Sequence, residues 1–587
     1  MQEKKMTGYP SIDMPHCKGS KFTEKHPFIP SVDIITVLRS LSKKHRNQNA
    51  IDCNELQVTY QQLLDDSHIM YLAFKRLGIQ KGDIVTISLP SNYHALISFF
   101  GLNELGAITT FIDTYSSEDD IQSYLDKYQS PVFINYEKSP YDIKDKLNKS
   151  KLKYIITLNE SLVNSRDFLM KDRLDYNSQL VDFHSLGFYA KQQKDRFHLP
   201  NNGNDSALIL YTSGTTGQPK SVVLTNRNIL AAQMYAGNTS HTENITATKT
   251  MTCVPLRYPY GMVTSLLTSL LWGKEAILTP DWESNTVDYY YQKEPNIIFG
   301  SPAVLELSMR FLDNKMDLSF VSHFISGGDF LTIQHADRGY EFFKLHNNSV
   351  IEIGNSCGNA ETVSIGSTPV GVPLKQSTAG KILVGSTPLI IDSDIPTDRP
   401  INNGDSIEEK KYYEVGELCL AGDHVFKEYF GEPEATNCVK FKRSRKTFFR
   451  TGTLGYIDEY GYFTPTDRKS RFYIRSTGHK VYLDNVQHIV LACDERIVDC
   501  ATVKVPDETE LYINKAFIVL SSEWLPSESL KEELFNKFTT SIIIGEQSVQ
   551  LKEYEIPKDI VFIEELPRKQ GTDKIDYQAL EKEALKH

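Results

Sequence analysis

Short apolar segments alternate with longer segments of helical periodicity through most of the chain. "DIVTISLP" (83–90) precedes "NYHALISFFGLNELGA" (92–107), and "PNIIFGSP" (295–302) precedes "AVLELSMRFL" (303–312). Apolar runs of this length, bounded by turn residues, are typical of buried strands, and each is followed by a predicted helix. A strand–helix alternation predicts the α/β class with mixed or largely parallel sheets.

The pattern changes after Asp467. "RFYIR", "IVDCATVKV" and "KAFIVL" alternate there with the helical segments "LDNVQHIVLAC" and "SLKEELFNKFT". This order predicts a compact α+β unit, with the polar run "TPTDRKSR" (464–471) as its boundary. We therefore expect a large N-terminal α/β domain over residues 1–466 and a small C-terminal α+β domain over residues 467–587.

Length and composition narrow the functional classes. The 587 residues exceed what one hydrophobic core supports, which agrees with at least two domains. The net charge of −11 gives no support to a nucleic-acid or membrane-surface role. The eight cysteines contain no C-x-x-C pair, so neither a zinc site nor a disulfide framework is indicated. We expect a cytoplasmic protein without a membrane span, because neither a signal-like start nor a run of about 18 apolar residues occurs.

The segment "YTSGTTGQPKSVVLT" (211–225) has the composition of an anion-binding loop. It lies between two apolar runs, and its glycines allow backbone N–H groups to turn toward a phosphate. Ser213, Thr215 and Thr216 add hydroxyl donors, and Lys220 adds positive charge. The spacing does not fit a Walker loop. The alternative is a polar hairpin turn, which accounts less well for so many donors.

The loop "YTSGTTGQPK" resembles the signature of the adenylate-forming (AMP-binding) superfamily, and further motifs follow in family order between about residues 37 and 580. Members include acyl- and aryl-CoA synthetases and stand-alone acyl-AMP ligases. The resemblance implies an N-terminal adenylation domain, a mobile C-terminal lid domain, and a site between them. It implies that a small-molecule carboxylic acid reacts with ATP, with Mg²⁺ as cofactor, to give an acyl-AMP and pyrophosphate. The acyl group then passes to CoA or to the phosphopantetheine of an acyl or peptidyl carrier protein.

The resemblance also implies roles for individual residues. "CGNAET" (357–362) supplies Glu361 as the magnesium ligand. "LPRKQGTDKIDYQAL" (566–580) supplies Lys574 as a catalytic lysine, in addition to Lys220. Nucleotide contacts are implied for Thr212, Ser213, Gly214, Thr215, Thr216, Gly217, Lys220, Gly327, Gly328, Cys357, Gly358, Asn359, Ala360, Thr453, Arg468 and Lys480.

Four positions depart from the family pattern. Thr453 replaces the ribose-binding aspartate, Cys357 replaces an aromatic residue over adenine, and Ala360 replaces a hydroxyl residue. Asp573 stands beside Lys574 where a glycine is usual. These changes leave open a nucleotide-binding homologue with little turnover, whereas the charged residues that are retained favour an active enzyme.

The stretch "PLRYPYGMVTSLLTSLLWG" (255–273) is where the resemblance locates the acid pocket, with contacts from Tyr258, Pro259, Gly261 and Gly328. Amino-acid-activating members carry an aspartate at the position of Pro259, so a fatty or aromatic acid is favoured over an amino acid. The apolar run Met262–Trp272 has helical spacing and fits either a pocket wall or plain core.

A basic run in this acidic protein is a candidate contact for the thiol acceptor. "KFKRSRKTFF", followed by Arg450, concentrates six cations: Lys440, Lys442, Arg443, Arg445, Lys446 and Arg450. They could meet the phosphates of CoA or an acidic carrier protein, and a solvated hairpin is the alternative.

Overall fold

A computed structural model provides the structure of the chain. It describes residues 6–17, 28–114, 116–137, 151–164, 166, 180–191, 200–212, 220–240, 247–280, 282–328, 331, 333–368, 375, 378–392, 395–402, 404–468, 471–474, 480–507, 511–540, 542–544, 547–568 and 575–586.

One sheet contains the strands that flank the predicted phosphate loop. Its central pairings are parallel, whereas Ser206–Tyr211 and Ser221–Thr225 pair antiparallel, so the segment between them connects neighbouring strands. In the described residues the sheet has eight strands, in the order Glu428–Tyr429, Ser221–Thr225, Ser206–Tyr211, Ile108–Phe111, Ile84–Ser88, Val132–Tyr136, Tyr154–Leu158 and Leu180–Asp182.

A second sheet has a parallel centre and antiparallel ends. Its N-terminal strand Asn49–Cys53 pairs in parallel with Glu275–Leu278, far along the chain. Nine strands are described, in the order Lys381–Ile382, Gly366–Ser367, Glu352–Cys357, His323–Ser326, Ile297–Gly300, Lys249–Thr252, Glu275–Leu278, Asn49–Cys53 and Leu56–Thr59.

A third sheet is antiparallel and carries the basic run. Its described strands are Glu408–Glu409, Thr387–Asp392, Gly416–Ala421, Lys446–Ile457 and Lys440–Arg443, with Phe463–Arg468 paired to Lys446–Ile457. The last of these strands runs past the boundary proposed at residue 467, so sheet pairing continues to Arg468.

The helices form where the sequence supplies both a cap and a buried face. Tyr60–Arg76 begins with a capping box between Thr59 and Gln62, and Tyr93–Leu105 begins at Asn92, whose side chain accepts from the Ala95 N–H. The other described α-helices are Pro10–Asp13, Ile34–Leu41, Glu118–Tyr128, Leu186–Lys191, Asn226–Ser240, Thr268–Leu271, Val287–Tyr291, Pro302–Phe311, Ile333–Leu345, Pro433–Val439, Leu483–Ala492, Glu528–Phe538 and Tyr577–Ala584. Short 3₁₀ turns cover Pro15–Cys17, Ser42–Lys44, Glu160–Leu162 and Phe183–Ser185.

The main core is formed between helices and the first two sheets. Tyr93–Leu105 is buried on nearly every side, which explains why its sequence lacks a polar face. None of the described helices is long and apolar enough to cross a bilayer.

The C-terminal residues form separate sheets and apolar clusters. The strand Ile497–Asp507 pairs antiparallel with Leu511–Leu520, which pairs in parallel with Asp559–Phe562. Smaller hairpins pair Phe472–Ile474 with Lys480–Tyr482, and Ile542–Ile544 with Gln547–Val549. The two hydrophobic clusters in this part of the chain are formed, among the described residues, only by residues from Tyr473 onward. An α+β arrangement is present here as the sequence predicts, and the division into two domains stays a prediction.

Candidate active site

Two hydrogen bonds close the base of the predicted phosphate loop. The Thr212 N–H donates to the Lys220 carbonyl at 3.0 Å, and the Lys220 N–H donates to Thr212 Oγ1 at 3.0 Å. Because the flanking strands pair directly, Lys220 is fixed at the start of Ser221–Thr225. The loop residues Ser213, Gly214, Thr215, Thr216 and Gly217 lie outside the described residues.

Glu361 lies in a tight turn that follows the strand Glu352–Cys357. The Asn359 side chain accepts from both the N–H and the hydroxyl of Thr362, at 3.0 and 2.7 Å. The Ile365 N–H closes the turn by donating to the Cys357 carbonyl at 2.7 Å. Cys357 is partly buried against the core, and Ala360 is buried. The predicted nucleotide-binding segment thus forms a compact, hydrogen-bonded unit.

The same turn is too tight for a side chain at Gly358. A Cβ there would lie 2.3 Å from the Val363 carbonyl oxygen, so glycine is required by close backbone approach. Val363 itself has φ of 64°, which is costly for a β-branched residue. The backbone strain is therefore stored two residues after Glu361.

Tyr429 connects Glu361 to Lys220. Its hydroxyl donates to Glu361 Oε1 at 2.6 Å, and the Lys220 Nζ lies 5.0 Å from the centre of its ring. Both Tyr429 and Glu361 are buried. Burial and the Glu361 carboxylate together raise the pKa of Tyr429 well above its usual range, so the hydroxyl remains a donor.

The carboxylate of Glu361 fits a magnesium ion that arrives with a polyphosphate. Mg²⁺ is usually held by one or two carboxylates, substrate phosphates and water, and not by a cage of protein ligands. In the described part of the chain no group of three or more His, Cys, Asp or Glu side chains could hold a metal. A single buried carboxylate is compatible with that mode of binding, in which phosphates and water supply the other ligands.

The predicted acid-pocket stretch forms a turn followed by a π-helix. The Tyr258 N–H donates to the Pro255 carbonyl, Pro259 precedes the helix, and the π-helix spans Tyr260–Leu267. A Cβ on Gly261 would lie 2.3 Å from the Val254 carbonyl oxygen and 2.4 Å from the Pro255 carbonyl oxygen. Gly261 is therefore needed for the close packing of helix against turn.

The π-helix is a departure from the regular spacing that the sequence suggests. The Gln233 side chain donates to the Val263 carbonyl, and the Thr268 hydroxyl donates to the Gln233 side-chain oxygen, so both side chains are bonded beside this irregular backbone. Met262, Val263 and Leu266 are fully buried in the main core. Of the two interpretations of this apolar run, plain core describes these three side chains.

An acid does approach the pocket stretch in space. Asp113 pairs with Arg257 at 3.1 Å, and the Arg257 guanidinium lies 4.8 Å from the centre of the Tyr258 ring. Arg257, two residues before Pro259, therefore balances the charge of the Asp113 carboxylate. An α-ammonium group would compete with Arg257 for it, and the preference against amino acids stays a prediction.

Gly327 and Gly328 follow the strand His323–Ser326. Tyr260 donates to the Ile325 carbonyl at 2.5 Å and packs its ring against Gly327, where a Cβ would lie 2.6 Å from ring atoms. Gly328 has φ of 85°, and its Cβ position is open. Gly327, one of the implied nucleotide contacts, therefore lies beside the first residue of the π-helix.

Thr453, which stands at the ribose-binding position, and Arg468, another implied nucleotide contact, are directly opposite in neighbouring strands. The Thr453 N–H donates to Thr451 Oγ1 at 3.1 Å. Lys480 begins the strand Lys480–Tyr482 and pairs with Ile474. The side chains of Arg468 and Lys480 lie outside the described set, as do Asp573 and Lys574 entirely.

The basic run forms a hairpin in which most cations are engaged within the protein. Lys440 donates to the Phe426 and Lys427 carbonyls, and burial lowers its pKa to about 8. Arg443 pairs with Glu409, and Lys446 donates to Thr387. Arg450 is fully buried and pairs with Glu417 at 2.9 Å. The exposed cations are Lys442, Arg445 and Lys446, so an acceptor could reach at most half of the run.

Tyr429 is a residue of this site that the sequence alone does not reveal. It lies in "KEYFGEPEA", where an aromatic residue resembles any core position. Pairing with Val222 brings it beside Lys220, and the Phe426 N–H donates to the Glu361 carbonyl at 2.7 Å. Only the three-dimensional pairing distinguishes it from a core tyrosine.

Comparisons with known proteins identify relatives in sequence and in fold. The long-chain-fatty-acid–CoA ligase of Bacillus subtilis is 25% identical over 572 residues, covering 95% of this chain and 96% of its own. The 4-coumarate–CoA ligase 3 of Arabidopsis thaliana is 24% identical over 470 residues, covering 78% and 76%. The ATP-bound MatB from Rhodopseudomonas palustris superposes with a TM-score of 0.78 at 19% identity, covering 94% of this chain and 99% of that one.

The structural likeness confirms the predicted α/β fold as that of adenylate-forming enzymes. A sequence model of the AMP-binding enzyme family matches residues 38–430, which include Thr212, Lys220, Glu361 and Tyr429. The chain therefore belongs to the AMP-binding enzyme family.

Proposed function

We propose that this chain is an ATP-dependent acid–thiol ligase that converts a fatty or aromatic carboxylic acid into its CoA thioester. The observation that carries the proposal is the contact of Tyr429 with both Lys220 and Glu361, inside the segment that matches the family. Relatives named as CoA ligases, over nearly the full chain, support CoA as the acceptor. We place the enzyme in the cytoplasm.

The reaction has two steps. A carboxylate oxygen attacks the α-phosphorus of ATP. The bond between that phosphorus and the oxygen that bridges to the β-phosphate breaks, and pyrophosphate leaves. A thiolate then attacks the acyl carbon, and AMP leaves. In the first step catalysis depends mainly on positioning and on neutralising charge.

The chain's own residues supply this charge pattern. Lys220 places an ammonium group at the edge of the phosphate loop, and Glu361 offers a fixed, buried carboxylate. When bound there, Mg²⁺ would neutralise polyphosphate charge. Lys574 is proposed as a second cation for the first step. Thr453, opposite Arg468, would give the ribose a neutral hydroxyl partner in place of a carboxylate.

The substrate class rests on the pocket stretch. Among the described residues, the carboxylate that approaches this stretch is Asp113, which pairs with Arg257, and Pro259 carries no charge. An uncharged acyl or aryl group therefore fits this stretch better than an amino acid.

The test is pyrophosphate release with ATP and Mg²⁺ over a panel of fatty, aromatic and amino acids, followed by transfer to CoA or to a phosphopantetheinyl carrier protein. We expect release with fatty or aromatic acids and transfer to CoA. Transfer to the carrier protein alone would identify a carrier-loading ligase. ATP binding without release for any acid would identify a nucleotide-binding homologue.

A further inference from the structure

The contact between Tyr429 and Glu361 has the geometry of a positioning interaction. The bond of 2.6 Å lies in the usual range for a hydroxyl that donates to a charged carboxylate. Tyr429 is 4% exposed and Glu361 is 7% exposed, so both groups are largely protected from water.

The backbone on both sides of this contact is also held. The Phe426 N–H donates to the Glu361 carbonyl at 2.7 Å, so the segment that bears Tyr429 is tied to the turn that bears Glu361. Within that turn, Asn359 accepts from Thr362, and Val363 is kept in a left-handed conformation. The carboxylate is thus fixed through its main chain and through its side chain.

The ring of Tyr429 has a second role in the same place. Lys220 Nζ lies 5.0 Å from the ring centre, within the range at which a cation is attracted to an aromatic face. The Phe430 N–H donates to the Ser221 carbonyl at 2.8 Å, which ties the two segments together beside this contact. One side chain therefore contacts both charged groups that the proposed first step uses.

We propose that Tyr429 is a positioning residue for metal–nucleotide binding: its hydroxyl fixes the Glu361 carboxylate, and its ring fixes the Lys220 ammonium group. This inference rests on the proposed function. Outer contacts of this kind orient a ligand before the metal arrives, and losing one typically costs about 10- to 100-fold in metal affinity.

The direct test measures Mn²⁺ binding and not turnover. Free Mn²⁺ is followed by electron paramagnetic resonance in the presence of α,β-methylene-ATP, whose α–β linkage resists cleavage. Tyr429→Phe removes the hydroxyl and keeps the ring, and it should weaken Mn²⁺ binding about tenfold or more. Tyr429→Leu should in addition weaken nucleotide binding in EDTA, because Lys220 loses the ring.

A double-mutant cycle identifies the route of the effect. In a Glu361→Gln chain, adding Tyr429→Phe should change Mn²⁺ affinity by less than about twofold, because the two residues act as a unit. The matched control is Tyr291→Phe. Tyr291 is fully buried and its hydroxyl donates to Ser308 Oγ at 3.1 Å. The control therefore removes a buried tyrosine hydroxyl that does not contact Glu361. It should bind Mn²⁺ as the wild type does.

Three results would overturn the inference: wild-type Mn²⁺ affinity in Tyr429→Phe, an equal loss in the Glu361→Gln background, or a Tyr429→Phe chain that circular dichroism shows to be unfolded. The last would assign the hydroxyl to stability. If the wild type itself shows no metal-dependent nucleotide binding, it is the proposed function that fails. The two failures are therefore distinguishable.

Discussion

Arg450 belongs to a basic run in the sequence, but its environment in the structure differs from that of an exposed cation. Its side chain is fully buried, pairs with Glu417 at 2.9 Å, and donates to the carbonyls of Ile395, Pro396 and Arg399. Removing one member of a buried pair leaves a charge in the interior without its opposite. We expect Arg450→Ala to lower the free energy of unfolding by about 3–5 kcal/mol, measured as a shift in the urea midpoint.

Lys442 provides the control for this prediction, because it lies in the same hairpin and is exposed. Lys442→Ala should change the unfolding free energy by no more than about 0.5 kcal/mol. Similar losses in the two variants would mean that Arg450 is not held as described.

His424 makes stability depend on pH. It is fully buried, and burial lowers its pKa from 6.5 to about 4. As the pH falls below 6.5, the unfolded chain takes up the proton and the folded chain does not, so stability is lost between about pH 6.5 and 4. Between pH 7 and 5 this amounts to about 2 kcal/mol. In urea titrations at the two pH values, His424→Gln should show a correspondingly smaller difference, and an unchanged difference would contradict the assignment.

At this scale the sequence identified charged groups better than their partners. Lys220 and Glu361 could be found because each lies in a motif of fixed spacing. Tyr429 could not, since its contacts depend on strand Glu428–Tyr429 pairing with Ser221–Thr225, more than 200 residues away along the chain. Arg450 could not be separated from its exposed neighbours, because burial is set by the whole sheet.

Among the elements, the π-helix Tyr260–Leu267 depends on one close approach. A side chain at Gly261 would meet two backbone carbonyls, which cannot move aside as a flexible side chain could. We expect Gly261→Ala to destabilise the protein by about 1–3 kcal/mol and to raise the KM for the carboxylic acid, through displacement of Tyr258 and Tyr260. Urea unfolding and initial-rate kinetics measure the two effects.

Gly404→Ala is the companion variant, since nothing lies within 4 Å of its Cβ position. It should leave both stability and KM unchanged. If Gly261→Ala behaved in the same way, the packing of the π-helix against the turn would be looser than the structure indicates.

The elements themselves followed closely from local pattern. The apolar runs before the predicted helices became Ile84–Ser88 and Ile297–Gly300, and the phosphate loop lies between two strands with a helix beginning at Asn226. The π-helix did not follow, because its apolar spacing resembles that of an ordinary helix. Its irregular bonding is supported by Gln233, a distant residue that local periodicity does not reveal.

At the scale of the molecule, a mobile C-terminal lid would affect the two half-reactions differently. Lys574→Ala should reduce pyrophosphate release about a hundredfold or more, the usual scale for a lost preorganised charge donor. Acyl transfer from preformed acyl-AMP should be much less affected, because the lid would by then have moved. Lys582→Ala, an exposed position in Tyr577–Ala584, should affect neither step. Equal losses in both half-reactions for Lys574→Ala would contradict its role.

The fold class of the whole chain could be predicted from the sequence, whereas the order of the strands in its sheets could not. The change of pattern near residue 467 anticipated the separate sheets that begin at Phe472. The order of strands in the large sheets could not be anticipated, because it is set by pairings between distant segments, such as Asn49–Cys53 with Glu275–Leu278.

That last pairing has a consequence for how the protein is made on the ribosome. Ile51 lies opposite Ala276, about 225 residues later, so the emerging N-terminal strand has no parallel neighbour until that much more chain has been synthesised. At about 5–20 residues per second, the delay is on the order of 10–45 seconds. During it the hairpin partner Leu56–Thr59 can cover only one edge of Asn49–Cys53, and the other edge stays open to chaperones.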